Sequence, residues 1–167
     1  MTSSEVTLVW AAPTAIAFHY LEEVIWLPAW SVRGTGRWYR PVSILEVRFA
    51  STVLTALVVV IGALTQLKGF GSVWHYLLAS IALGQGINIL IPHASATIAT
   101  RTYAPGLGTG LAFVLPAAAA VLFTGFSRHQ LQSGRFLLTA VIFIPAVLVS
   151  VRLSLWAAKR LELRRAS

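Results

Sequence analysis

Residues 42–67 read VSILEVRFASTVLTALVVVIGALTQL, and from Phe49 to Leu67 this run holds no charged residue. A helix rises ~1.5 Å per residue, so about 20 apolar residues cross the ~30 Å hydrocarbon core of a bilayer. The run is therefore read as a membrane span, stopped by Lys68-Gly69. Four more windows of that length flank it. The first covers about 6–27 and ends at Pro28; the third covers 72–91 and closes at Pro92. The polar stretch His93 to Tyr103 extends that third helix by a turn or two. Pro105-Gly106 opens a fourth span over 105–126, and a fifth runs over 136–158. The pattern predicts an all-α, polytopic membrane helix bundle of about five transmembrane helices. It leaves one integral membrane domain, with no room for a soluble domain or a strand barrel.

Composition agrees. The chain has 167 residues, of which 57% are hydrophobic and 11% charged. Soluble domains carry about 25% charged residues, and a charged shell cannot be built from fewer than half as many. The formal net charge is +8, but the basic residues fall in short loops and at helix ends, where anionic lipid headgroups meet them. No contiguous basic face is present, which excludes nucleic acid as a partner. There is no cysteine, hence no disulfide framework and no thiolate metal site. Met1 to Val6 offers no basic leader ahead of the first apolar run, and that run is too long for a signal segment, so it reads as a retained span.

Loop charges set the expected orientation. One side collects Arg33, Arg37, Arg40, Arg48, Arg101, Lys159, Arg160, Arg164 and Arg165; the other holds Lys68, Arg128 and Arg135. The positive-inside rule then places the C-terminus in the cytoplasm and the N-terminus outside. Trp26, Trp30, Trp38, Tyr39, Trp74 and Trp156 read as interfacial anchors. Gly106 and Gly110 form a small-residue pair, continued by Ala117 to Ala120, that would let helix backbones approach. Pro13, Pro116 and Pro145 fall inside spans and free backbone carbonyls for neighbours to satisfy.

The acidic residues carry the functional signal. The chain has only five, and Glu22 and Glu23 stand late in the first span, three and four residues after His19. That spacing puts imidazole and carboxylates on one helix face. Glu46 opens the second span, Asn88 and His93 close the third, and Arg152 lies late in the fifth. Under alternating topology all of these share the cytoplasmic half of the bundle. Ionisable groups in a span are expensive unless paired or facing a cavity, so their convergence points to a site. A purely structural reading stands beside it: Glu22 and Glu23 could meet the headgroup boundary, Glu46 could pair with Arg48 or the loop arginines, and Arg152 could partner a buried carboxylate. His75 and His129 read as interfacial or loop residues.

The string His19-Tyr20-Leu21-Glu22-Glu23 resembles the signature of the HXXEE family, small multi-span bacterial membrane proteins. The resemblance continues through the His93 region and Arg101-Thr102-Tyr103-Ala104-Pro105-Gly106, which is similar to the family's second motif. It implies a shared polar site on His19, Glu22, Glu23 and His93, and names no substrate.

Three chemistries suit such a site. The first is acid–base catalysis on an isoprenoid or other lipid-like substrate, by cyclisation or isomerisation and without a cofactor. Two adjacent carboxyls in a low-dielectric site cannot both ionise easily, so one of Glu22 and Glu23 would hold the proton. His19 or Glu46 would orient that acid or serve as the base, and His93 completes the catalytic group. Trp26, Trp30, Phe49 and Tyr103 would line the substrate pocket and shelter cationic carbon, with Asn88 as a polar anchor. No aspartate occurs, so a diphosphate-ionising motif is absent. The second is a zinc or iron hydrolase ligated by His19, Glu22, Glu23 and His93. The third is a proton-coupled carrier. Oligomeric state is left open.

Overall fold

The computed structural model describes residues 2–33 and 40–166. Arg37, Trp38 and Tyr39, counted above among loop charges and anchors, lie outside the described residues, as does the side chain of Arg165. Five helices make up the fold: α1 (Ser3–Ser31), α2 (Ile44–Lys68), α3 (Val73–Thr100), α4 (Leu107–Ser127) and α5 (Ser133–Ala166). No strand occurs among the described residues. Helices α2 to α5 are each long and apolar enough to cross a membrane. Helix α1, with 29 residues, is long enough, but His19, Glu22 and Glu23 make it less apolar than the rest.

Local sequence explains where the helices start. At α1, Thr2 accepts from the Glu5 amide while the Glu5 carboxylate accepts from the Thr2 amide; Ser43 and Glu46 repeat this reciprocal pair at α2. Each pair satisfies two of the donors that a helix N-terminus leaves open. Helix α3 does not stop at Pro92. It passes through a π-helical turn, Ile89–Ala94, that contains the proline, and continues to Thr100. Proline breaks the regular ladder by lacking an N–H, and the wider turn absorbs that break. A second π-helical turn, Gly110–Val114, precedes Pro116 in α4.

The helices close a ring in which α1 packs on α2 and α4, α2 on α5, and α5 on α3, while α3 meets α4 and also touches α2 across the middle. The main core joins Val9, Ile16 and Tyr20 of α1 to Val58 and Ile61 of α2 and Leu78 and Ala82 of α3. Helix α5 fully buries only 11% of the residues in its most apolar window; one face packs on α2 and α3 and the other is left for lipid. The pair Gly106 and Gly110 does not work as one small-residue stripe. Gly106 precedes α4 with φ +93, a conformation open mainly to glycine, whereas Gly110 lies in the helix against Ile89.

Candidate functional site

Three groups meet in the interior. His19 sits two-thirds of the way along α1 and is fully buried; Glu23 follows one turn later on the same face; His93 is brought over by the π-helical turn of α3 and is 2% exposed. Glu23 Oε1 lies 3.2 Å from His93 Nε2 and 3.8 Å from His19 Nε2. The two imidazoles meet edge to face with centroids 5.1 Å apart.

Hydrogen bonding fixes the ring nitrogens. His19 Nδ1 is 3.0 Å from the Gly106 carbonyl oxygen, which can only accept, so Nδ1 carries the hydrogen. In the neutral ring Nε2 then presents a lone pair, and it has no hydrogen-bond partner. The Asn88 side-chain nitrogen stands 3.2 Å from His93 Nε2; as a donor it takes that nitrogen's single lone pair, so in the neutral ring Nε2 has no hydrogen to offer Glu23. Three atoms that carry no hydrogen of their own thus converge in a mostly buried place. A shared proton or a cation among them removes the repulsion that lone pairs facing each other would cost.

Glu22 does something else. Its carboxylate accepts from the Tyr103 hydroxyl, from the Gly106 and Thr109 amides at 2.9 Å each, and from the Thr109 hydroxyl. The amides belong to the first turn of α4, where an anion meets both open donors and the positive end of the helix. Burial and the bond to Glu22 push the Tyr103 hydroxyl up in pKa, which keeps it a donor. The expected Glu22–Glu23 pair sharing one site is therefore corrected. Consecutive residues on a helix point about 100° apart, so Glu23 turns inward while Glu22 ties α1 to the 103–109 segment.

Glu46 is also separated from the cluster. It is 3% exposed, but one oxygen takes the Arg40 guanidinium at 2.9 Å and the other the Ser43 amide at 2.8 Å. The capping spacing Ser43-x-x-Glu46 was present in the sequence and announces this role.

A cavity of about 430 Å³ opens between α1, α2, α3 and α5, within the range of ligand pockets. Glu23, His93 and Asn88 line one part of it beside Tyr20 and Gln85, whose amide donates to the Tyr20 hydroxyl at 2.7 Å. Aliphatic side chains make most of the remaining wall, among them Leu54, Ile81, Ile144 and Val147. The expected aromatic lining is corrected. Trp26, Trp30, Phe49 and Tyr103 do not reach the cavity; Tyr20 and Phe143 are its aromatic members. Trp26 and Tyr103 are more than half exposed, and Trp30 is buried elsewhere, donating to Thr102. Of the proposed substrate contacts, Asn88 alone lines it. The stripe Ile81, Gly84, Gln85, Asn88 follows helical spacing on α3. Its two amides could have been found as the polar face of an apolar helix.

The helix bundle and its interior His–Glu–His group define a multi-pass helical membrane protein with a polar site buried beneath an apolar cavity. The chain belongs to the HXXEE family, whose description is "Protein of unknown function with HXXEE motif", matched over residues 10–121. It is 30% identical over 135 residues to the Bacillus subtilis (strain 168) "Uncharacterized protein YrkK", covering 77% of this chain and 80% of that protein. No solved structure matches. The family match spans the polar residues from His19 to Thr109 but not the α5 wall of the cavity.

Proposed function

We propose that the protein is a membrane-embedded acid–base enzyme that shifts a double bond in an isoprenoid or similar lipid-like chain. The carrying observation is that the apolar cavity ends on Glu23 and His93, the two members of the converging group that line it. The shared proton leaves the Glu23–His93 pair and forms a C–H bond at one alkene carbon. The adjacent carbon becomes cationic, a proton on its far side passes to the free member of the pair, and the double bond re-forms one position along. No atom or electron is gained or lost. His19 stands behind the pair and holds it in place. Aliphatic walls favour this single proton shuttle over cyclisation, since a travelling carbocation needs aromatic faces along its path.

A second reading draws on a separate observation. One ligand atom from each of His19, Glu23 and His93 lies within 4.8 Å of the others, and the fully buried His19 Nε2 has no hydrogen-bond partner among the described residues. Two imidazoles and a carboxylate suit zinc or non-haem iron, and the enzyme would then be a metal-dependent hydrolase. One experiment separates the two. Purified protein is analysed for metal and incubated with farnesol, farnesoic acid and farnesyl phosphate in D2O before and after chelation, and deuterium entering the product is read by mass spectrometry. Incorporation that survives chelation is expected. Stoichiometric zinc or iron whose removal stops all turnover would replace the acid–base reading with the metal one.

The proposal places the chain in a bacterial inner membrane with the C-terminus in the cytoplasm. Support comes from Arg33, Arg40, Arg101, Lys159 and Arg160, which fall at helix ends on one side of the bundle. An alkaline phosphatase fused after Ser167 is expected to be inactive; an active fusion reverses the orientation.

A further inference from the structure

The acid–base reading leaves two arginines unused. Arg152 lines the cavity from α5, one turn after Leu148 and three residues before Leu155, and is itself exposed at the cavity's edge. It has no hydrogen-bond or ion-pair partner among the described residues. An unpaired cation within an apolar helix is unfavourable, and such residues mark ligand sites or aqueous paths. Arg40 stands opposite, giving one arm to Glu46. Arg40, Arg152 and Leu155 line both the main cavity and a second, outer chamber of about 500 Å³, to which Lys159 and Trp156 also belong. Arg160 is held elsewhere, with its guanidinium 5.3 Å from the Trp156 ring centroid. Arg40, Arg152 and Lys159 thus bring two guanidiniums and an ammonium to this end of the cavity, against two carboxylates, that of Glu46 and that of Glu162, which accepts from the Ser43 hydroxyl.

We infer that the cavity takes a single-chain amphiphile with an anionic head, the phosphate or carboxylate gripped between Arg152 and Arg40 and the chain laid along the apolar wall toward Glu23 and His93. This names the substrate class of the proposed site and rests on that reading only for what befalls the chain. The guanidinium fork matches both heads, since each offers paired oxygens for two parallel hydrogen bonds. A neutral alcohol would leave Arg152 unpaired.

Binding tests this without turnover. Protein in phosphatidylcholine nanodiscs is equilibrated with radiolabelled dodecyl phosphate, and unlabelled dodecyl phosphate, dodecanoate, dodecanol and inorganic phosphate compete. An anionic head is expected to compete at least tenfold better than dodecanol, the scale of one charge-assisted contact. The better of the two anions identifies the head, and millimolar inorganic phosphate is expected not to displace the label. Arg152→Gln should reduce the preference to about threefold or less, with Arg152→Lys in between, because a point charge replaces the fork. Dodecanol competing equally overturns the inference, as does displacement by inorganic phosphate. So does a folded Arg152→Gln protein that keeps the full preference, with helix content checked by circular dichroism. Loss of the preference in phosphatidylglycerol discs also overturns it, by making bulk lipid the occupant. Wild-type protein that binds as expected yet incorporates no deuterium retires the proposed reaction and leaves the amphiphile site standing.

Discussion

Glu23→Gln is expected to slow deuterium incorporation by about 10²- to 10⁴-fold, the usual contribution of a positioned acid or base, with helix content unchanged. The glutamine amide is close in size and still reaches His93, but it can neither release a carboxylic proton nor take one back. Glu23 is only 14% exposed in its side chain and lines the cavity, so bulk water does not substitute readily. Glu22→Gln is expected to act on stability instead, at roughly 3 kcal/mol. An amide turned toward the Gly106 and Thr109 N–H groups leaves at least one donor without its charged acceptor. The readouts are exchange rate and thermal midpoint, measured on both variants. A Glu23→Gln protein that exchanges at the wild-type rate, beside a folded Glu22→Gln protein that does not, would exchange the roles assigned here.

Gly106→Ala is expected to damage the site and the fold together. At φ +93 an alanine is strained by about 1–2 kcal/mol. Its methyl carbon would also stand 2.6 Å from His19 Cε1 and 2.8 Å from His93 Cε1, closer than real contacts allow, so both rings must move. Overpacking of this kind adds about 1–3 kcal/mol. Together these lower the melting temperature by about 4–20 °C for a chain of this length. The Gly106 carbonyl that orients His19 shifts with the backbone, so exchange should fall even in protein that remains folded. A variant that melts within about 2 °C of wild type and keeps full exchange would show the histidines tolerate displacement, against the tight packing described.

Much of this architecture was legible one residue at a time. Spans can be counted because lipid supplies no hydrogen bonds, so a crossing segment must be long, helical and apolar, and residues 42–67 announce that without help. His19 and Glu23 could be paired on paper because both lie on one helix at a fixed spacing. The same spacing rule, pushed one residue too far, merged Glu22 with Glu23, although a step of 100° sends them to different partners. Glu46 was visible as an acid at a helix start; of its two readings the structural one holds, with the loop residue Arg40 and the capping residue Ser43 as its partners.

The sequence by itself determined the solvent of this protein, its helical class and the pool of polar groups that had to be reconciled with lipid. Those follow from local composition and period, which act through neighbours in the chain. Only the tertiary structure decided that His93 arrives beside Glu23, because that depends on a π-helical turn at Pro92 rotating the end of α3. It also decided that the cavity is walled by aliphatic rather than aromatic side chains, and that Arg152 stands at the cavity's edge. Which side of an apolar helix meets another helix and which meets lipid is set by packing between distant segments, and lipid tails are as apolar as the core, so hydrophobicity alone cannot mark the difference.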